Sequence, residues 1–379
     1  MAVTGTGDDT EPDAAGRDGD APRLALRVLG RPVRLLFLAL TAIAVVGTAT
    51  RLALPGWLRY LPLALSVVAF GLPHGAVDHL VPARIRSRVD GTLTTRRSAA
   101  AVGILYLLLG GGYVLVWLHA PKVAALAFIG MTWVHWGQGD VWVLVRLLDA
   151  SHLRSRAMRC GTLVVRGGIP MLVPLVAFPE RYRAVVSAWV ALFDVRLALP
   201  WLFTPETRAA LGGGLALVCL GTLAVGRMHV GDGPDGLRAW RADAAEVGLL
   251  WAYFALVPPL VAVGLYFTCW HALRHIVRLV LLDPDGEAPT DTVAPAAWLR
   301  REATQFARDA APLTLLSLVL LAGFGTVVPA TVRTLPEYAA LYLVFVSVVT
   351  LPHIVVVGFM DYRDGVWAAE VATDAGAAR

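Results

Sequence analysis

Nine histidines occur in this chain, and six of them lie within apolar stretches. The stretches read GLPHGAVDH, WVHWGQGD, WHALRH and LPH, and the six residues are His74, His79, His135, His271, His275 and His353. A neutral imidazole binds iron, copper or zinc through one ring nitrogen. A single histidine in such a stretch is more typical of a hydrogen bond between helices. Six ionisable side chains in apolar segments instead indicate a function, and their type indicates a metal site.

The spacing of the histidines limits which of them can share one ion. His271 and His275 are four residues apart, so both face one side of a helix. His74 and His79 are five residues apart and point about 140° apart around a helix axis, so they are not expected to bind the same ion. Asp78 lies four residues after His74 and shares its face. Its carboxylate is therefore expected to hold the other N–H of the His74 imidazole.

The composition of the chain indicates what kind of element carries these residues. Hydrophobic residues make up 57% of the 379 residues and charged residues 16%, whereas soluble domains carry about 25% charged residues. The net charge of +5 lies in short loops, which is typical of membrane topology and not of nucleic-acid binding. We predict an all-α, polytopic transmembrane helix bundle of about eight to ten segments around a buried histidine metal site.

Apolar runs of about 20 residues, the length that crosses a bilayer, give the candidate spans. They are 33–52, 57–81, 98–118, 122–147, 158–178, 207–226, 312–330 and 336–360. The run 244–282 is too long for one helix and contains Pro258-Pro259. Because a proline pair ends or kinks a helix, this run is predicted to form two segments, 244–257 and 259–282. A short interfacial helix is expected within 179–206.

Loop arginines indicate the orientation of the bundle. Arg27, Arg31 and Arg34 precede the first span, so we expect a multi-pass protein of the cell membrane with its N-terminus in the cytoplasm. Residues 31–362 are expected to form the transmembrane catalytic domain. Residues 1–30 are expected to be a disordered polar tail without a signal peptide, and 363–379 a polar C-terminal tail.

The two-segment topology also predicts where the histidines lie. The helices of His74, His135, His271 and His353 all run inward, which places these residues about 12–20 Å from the cytoplasmic ends. Arg166 falls at a similar depth, where it either pairs with Asp78 or Asp140 or extends to the inner surface. The remaining histidines are expected to be solvated at loop edges, and the cysteines are expected to be small core residues. The former are His119, His152 and His229, and the latter are Cys160, Cys219 and Cys269.

The motifs PHGAVDH, HWGQGD, HALRH and LPH, in this order between about Arg34 and Asp361, resemble the Brp/Blh family of membrane β-carotene dioxygenases. The resemblance implies cleavage of β-carotene at its central double bond with O₂, giving two retinals, at a non-haem Fe(2+). The ligands that it implies are His74, His135, His271 and His275. Supporting residues around these ligands would be Asp78, His79, Asp140, His353 and Arg166.

The same resemblance implies the partners of the protein: β-carotene and O₂ as substrates, the lipid bilayer, and a rhodopsin-type protein as a receiver of retinal. A substrate as apolar as β-carotene needs a tunnel within the membrane. Aromatic residues that flank the histidines are candidates for its wall, with ordinary packing as the equal alternative. They are Trp133, Trp136, Trp142, Tyr266, Phe267 and Trp270.

Three other functions remain open at this point. A desaturase or another di-iron oxygenase of the membrane usually carries HxxHH boxes, and no adjacent His pair occurs here. A haem-binding electron carrier needs two histidines on opposite sides of a porphyrin, which His74 and His135 would supply without using the HALRH pair. A transporter with a histidine proton relay is the third. A Soret band in the visible spectrum would indicate the haem carrier, and about one iron per chain would exclude the transporter.

Overall fold

The structure is a computed structural model that describes residues 30–50, 55–87, 93–231, 233–282 and 295–368. Every regular element in these ranges is helical, as the composition predicts. The α-helices are α1 Arg31–Ala49, α2 Leu61–Val68, α3 Gly71–Ala76, α4 Val81–Ser87, α5 Thr95–Leu105, α6 Gly111–His119, α7 Pro121–Trp142, α8 Arg156–Ala177, α9 Pro179–Ala191, α10 Pro205–Met228, α11 Pro234–Leu256, α12 Pro259–Leu265, α13 Leu273–Leu281, α14 Pro295–Val327 and α15 Leu335–Arg363.

Wider π-helical segments join some of these helices into longer ones. They are Tyr106–Gly110 between α5 and α6, Val143–Leu147 after α7, and Tyr266–Ala272 between α12 and α13. Short 3-10 segments flank α2, α4, α8 and α10 and are Gly56–Tyr60, Asp78–Leu80, Ser151–Leu153 and Pro200–Phe203. Two of the three π segments adjoin or contain residues that the motifs single out. This is typical of functional sites, because a π turn inserts one extra residue and redirects the side chains around it.

Eight helical stretches of the described residues are long and apolar enough to cross a membrane. They are Arg31–Ala49, Gly56–Ser87, Thr95–His119, Arg156–Ala177, Pro205–Met228, Pro259–Leu281, Ala296–Val327 and Leu335–Arg363. Each corresponds to a span that the apolar runs predict. The predicted segment 122–147 is formed by α7 and the π segment Val143–Leu147, and the predicted segment 244–257 lies in α11 up to Leu256; neither is among the eight. Both carry charged residues that the structure buries, such as Asp140 on α7 and Glu246 on α11.

The predicted break in the run 244–282 is present. α11 ends at Leu256, Val257 is extended (φ −91°, ψ 131°), and α12 starts with Pro259 as its first residue. A proline there replaces a backbone N–H that a first turn leaves unpaired in any case. α11 begins at Pro234, ten residues earlier than the apolar pattern indicates, so it is a full-length helix of 23 residues. The region 179–206 holds the 13-residue helix α9.

α7 and α8 cross at very short range, because glycines stand at their contact. A Cβ on Gly137 of α7 would collide with the backbone oxygen of Leu163, and one on Gly167 of α8 with the backbone oxygen of Trp133. Small residues at such crossings let two membrane helices approach until their backbones touch. This approach brings Arg166 of α8 next to Asp140 of α7.

Three predictions about single residues differ from the structure. His152 is not solvated, because it is 2% exposed and contacts Asp243. Cys160 is exposed on α8, and Cys269 is only partly buried; Cys219 alone of the three is a buried residue. The sequence did not predict the exposure of Cys160, because lipid-facing and core positions of a membrane helix carry equally apolar residues. The predicted polar tails lie largely in 1–29 and 369–379, outside the described residues.

Candidate metal centre

Five of the six apolar-segment histidines form one buried cluster. His74 comes from α3, His135 from α7, His271 from the π segment Tyr266–Ala272, His275 from α13 and His353 from α15. Their exposed fractions lie between 3% and 7%. Neighbouring rings have centroids 4.5 Å apart for His135 and His271, and 5.7 Å apart for His74 and His271. Helices that are distant in sequence thus present imidazoles to one point.

Two groups of three side chains in this cluster have the proximity that a metal ion needs. In the first, ligand atoms of His74, His135 and His271 lie within 4.8 Å of one another. In the second, ligand atoms of Asp78, His275 and His353 meet the same limit. The predicted ligand set therefore divides between the groups, with His275 in the second. The π segment that holds His271 accounts for this, because its wider turn changes the angle between positions 271 and 275.

Several nitrogens in the cluster have no hydrogen-bond partner within the described residues. They are Nδ1 of His135 and Nε2 of His275 and of His353. Nε2 of His135 and Nε2 of His271 face each other at 2.9 Å. Facing nitrogens at this distance either share one proton or turn two lone pairs towards a common cation. Because buried polar atoms are normally paired, these nitrogens fit a metal ion, and imidazole nitrogen suits a first-row transition metal.

Asp78 supports a different histidine from the one that helical spacing predicts. Its Oδ2 atom accepts hydrogen bonds from His353 Nδ1 at 2.8 Å and from the Tyr106 hydroxyl at 2.6 Å. His74 Nδ1 contacts the backbone oxygen of Phe70 instead, at 3.1 Å. The reason is that α3 ends at Ala76 and a 3-10 turn follows, so the four-residue spacing no longer places Asp78 on the face of His74.

His79 stands apart from the cluster, as its spacing from His74 predicts. Its Nδ1 atom contacts the backbone oxygen of Ala76 at 2.9 Å, and its ring borders the cavity described below.

Arg166 is part of a buried network of charges beside the cluster. It is fully buried, with nitrogens 2.6 Å from Asp243, 3.2 Å from Glu246 and 3.4 Å from Asp140. Pairing with Asp140, one of the two outcomes left open by the sequence, is thus present, and Arg166 does not extend to the inner surface. Arg274 bridges Asp140 and Glu246 at 2.9 and 3.0 Å.

This network reaches the histidines through Trp270, which precedes His271. The Trp270 indole N–H donates to Asp140 at 3.2 Å, and Arg274 lies 4.0 Å above its ring. The sequence reading did not select Asp243, Glu246, Arg274 or Tyr106. Two features of the sequence could have identified three of these residues. Arg274 lies inside the HALRH motif, and Asp243 and Glu246 are charged residues three positions apart at the start of an apolar run.

An apolar cavity of about 950 Å³ adjoins the cluster. His74, His135 and His353 form part of its wall. Among the predicted tunnel aromatics, Trp136 and Phe267 line it. The other four are not among its described lining residues and have other contacts: Trp133 with the Val164 backbone, Trp142 with Asp364, Trp270 with Asp140, and Tyr266 with the Trp136 ring.

Comparisons with a family model and with individual known proteins identify the same family. The family model described as beta-carotene 15,15′-dioxygenase matches residues 65–361. The chain is 44% identical to the probable beta-carotene 15,15′-dioxygenase Blh of Halobacterium salinarum. The aligned 346 residues cover 90% of the chain and 96% of this relative. It is 31% identical to the probable beta-carotene 15,15′-dioxygenase Brp of the same species. This alignment of 361 residues covers 88% of the chain and 92% of the relative. No solved structure matches the chain.

Proposed function

The chain belongs to the beta-carotene 15,15′-dioxygenase family, and on this premise we propose that it cleaves the central double bond of β-carotene with O₂ at an iron ion. The reaction breaks one carbon–carbon double bond, and each of the two carbons gains one oxygen atom of O₂. One β-carotene and one O₂ therefore give two retinals, with no other reductant. The observation that supports this proposal most directly is the buried histidine cluster in the wall of an apolar cavity.

We assign the iron to His74, His135, His271 and His275. Bound there, Fe(2+) would supply the one-electron chemistry that lets triplet O₂ react with a polyene. Neutral imidazoles are suitable ligands in a membrane, because each avoids adding a buried charge that needs compensation. The charged groups nearby are paired with each other: Arg166 and Arg274 share Asp140 and Glu246. The protein thus holds the helices of His135 and His271 together through ion pairs that lie beside the ligands.

The cavity suits a long hydrocarbon. Its volume of about 950 Å³ is at the upper end of the usual range for ligand pockets, roughly 300–1,000 Å³. One part of its wall is formed by Ala99 and Gly103 of α5, and another by Tyr182 and Trp189 of α9. His74, His135 and His353 belong to the same wall, so a polyene that fills the cavity lies against them. The apolar wall also keeps water away from the cleaved bond.

The remaining assignments follow from the family and the helix pattern. We propose that the protein is a multi-pass protein of the cell membrane with a cytoplasmic N-terminus, and that it takes β-carotene from the bilayer. Retinal, which is apolar enough to stay in the membrane, would then pass to a rhodopsin-type protein.

Expression in β-carotene-producing cells tests the reaction. Cells that carry the chain should lose their orange colour and accumulate retinal, whereas cells with the empty vector should not. An unchanged carotene content with normal amounts of protein in the membrane would exclude the proposed activity. A Soret band in the purified protein would indicate the haem carrier instead.

A further inference from the structure

The His353 ring packs against the rings of three of the four assigned ligands. Its ring centroid lies 4.8 Å from that of His135 and 5.0 Å from those of His74 and His275. The separations among the four assigned ligands span a similar range: His135 and His271 are 4.5 Å apart, and His74 and His275 are 5.5 Å apart. An ion that is within reach of the four is therefore within reach of His353.

The hydrogen bonds of His353 prepare one nitrogen for a metal. A carboxylate only accepts hydrogen bonds, so the 2.8 Å contact between His353 Nδ1 and Asp78 Oδ2 places the ring hydrogen on Nδ1. Nε2 then carries a lone pair, and it is buried without a partner in the described residues. Metal-binding histidines typically donate their other N–H to a carboxylate in this way, which fixes the tautomer. Tyr106 fixes Asp78 in turn through its 2.6 Å hydrogen bond.

The ring separations fit one ion better than two. With metal–nitrogen distances of about 2.1 Å, two imidazoles at right angles around one ion have ring centroids about 4.6 Å apart, and two opposite ones about 6.5 Å. The separations that involve His353, 4.8 to 5.0 Å, are within this range. Two divalent ions would also bring four positive charges to a cluster whose one carboxylate is Asp78. Uncompensated buried charge is expensive, which favours a single ion.

We propose that His353 is a fifth nitrogen ligand of a single divalent transition-metal ion, held in the metal-binding tautomer by Asp78 and Tyr106. The inference deepens the proposed function and rests on its metal centre. With five imidazoles bound, an octahedral ion would have one position left for a reactant. Loss of His353 therefore changes the coordination of the ion itself, whereas loss of the Asp78 charge changes only how firmly His353 is held.

Cobalt binding to the full chain in detergent, after removal of bound metal, tests this proposal. The visible absorption of Co²⁺ depends on the number and geometry of its ligands. We expect one Co²⁺ per wild-type chain. His353→Ala should bind Co²⁺ more than 10-fold more weakly and, at saturation, with a changed spectrum. Asp78→Asn should keep the wild-type spectrum at saturation and lose about 10–100-fold in affinity.

Two controls make the result specific. His119→Ala alters an exposed histidine outside the cluster and should match the wild type. His353→Gly with added imidazole should regain the wild-type spectrum, because free imidazole can fill the place of the missing side chain. If His353→Ala does not fold, X-ray absorption of the Co²⁺-loaded wild type replaces it, with five imidazole nitrogens expected.

The outcomes separate this inference from the proposed reaction. A wild-type spectrum in saturated His353→Ala, or four imidazoles by X-ray absorption, would remove His353 from the ligands. Two Co²⁺ ions per chain would overturn the single centre. Binding of one Co²⁺ with five imidazoles by a chain that cleaves no carotenoid would leave the inference standing and remove the reaction.

Discussion

At the scale of single residues, the candidate metal centre has neutral histidine ligands, and paired charged residues lie beside them. The histidines bring no charge to the cluster, and a network of ion pairs lies beside them, in which Arg166 and Arg274 contact Asp140, Asp243 and Glu246. Asp140 is its common member, since it contacts Arg166, Arg274 and the indole of Trp270. Removing one member of a buried ion pair leaves an uncompensated charge and typically costs about 3–5 kcal/mol. The network therefore holds α7, α8, α11 and α13 in one arrangement.

The four assigned ligands are tested by single alanine substitutions. His74→Ala, His135→Ala, His271→Ala and His275→Ala should each abolish retinal production and lose bound iron, because each removes one metal–nitrogen bond. Retinal by chromatography and iron per chain are the two measurements. His119→Ala and His229→Ala, at exposed positions, should retain both. Full activity and full iron content in one of the four variants would exclude that residue as a ligand.

The sequence identified the histidines of the cluster, but it did not predict all of their hydrogen bonds or their arrangement. Residue type and position in apolar segments selected six histidines, and the family resemblance reduced these to His74, His135 and the HALRH pair. Hydrogen bonds depend on local turns that the pattern does not contain. The 3-10 turn at 78–80 moves Asp78 from His74 to His353, and the π turn at 266–272 separates His271 from His275. Both departures from α-geometry occur where the site is built.

At the scale of elements, the contact between α7 and α8 determines how the site is assembled. His135 and Asp140 are on α7, and Arg166 is on α8. The two helices meet where Gly137 faces Leu163 and Gly167 faces Trp133. A hydrophobicity pattern predicts both helices, since it responds to length and apolarity. It does not predict which faces touch, because in a membrane the lipid-facing and buried sides are equally apolar.

Gly167→Ala tests this contact. The added methyl group would overlap the backbone of Trp133, so the helices must separate. Overpacking of this kind typically costs about 1–3 kcal/mol. We expect a lower unfolding temperature in detergent and reduced metal binding. Gly130→Ala on α7 is the matched control, because nothing lies within 4 Å of the added atom. Equal unfolding temperatures for the two variants would contradict the close crossing.

The break between α11 and α12 leads to a prediction of topology. Since the chain reverses there, the loop that contains 283–294, which lies outside the described residues, should be on the same side as the loop before α5. Gly286→Cys and Thr95→Cys, each in a functional cysteine-free background, should be labelled by a membrane-impermeant reagent only after the membrane is permeabilised. Labelling of position 286 from outside, with position 95 protected, would contradict two crossings.

At the scale of the whole molecule, the cavity wall and the outer surface share residues. Leu107, Val319 and Leu320 line the cavity and are 74%, 67% and 53% exposed. They belong to the π segment 106–110 and to α14. In a membrane, an exposed apolar side chain at this position faces lipid. We infer that the cavity opens sideways to the bilayer between these two elements, which is where a hydrocarbon substrate would enter.

Leu107→Trp tests the opening. A larger side chain at the entrance should raise the KM for β-carotene in liposomes several-fold and leave iron content unchanged, because the histidines are not affected. Leu217→Trp on α10 is the control, since Leu217 is 72% exposed and is not among the described residues that line the cavity. The same KM in both variants would mean that the substrate does not pass Leu107.

The most direct test of the account is the stoichiometry of the reaction in purified protein. The full chain, loaded with Fe(2+) in detergent, is given a known amount of β-carotene and O₂, and carotene loss and retinal formation are both quantified. The account predicts two retinals for each β-carotene consumed, and none with His135→Ala, because cleavage is at the central bond and depends on the histidine-bound metal. Products of unequal length, or equal turnover by the His135→Ala variant, would contradict it.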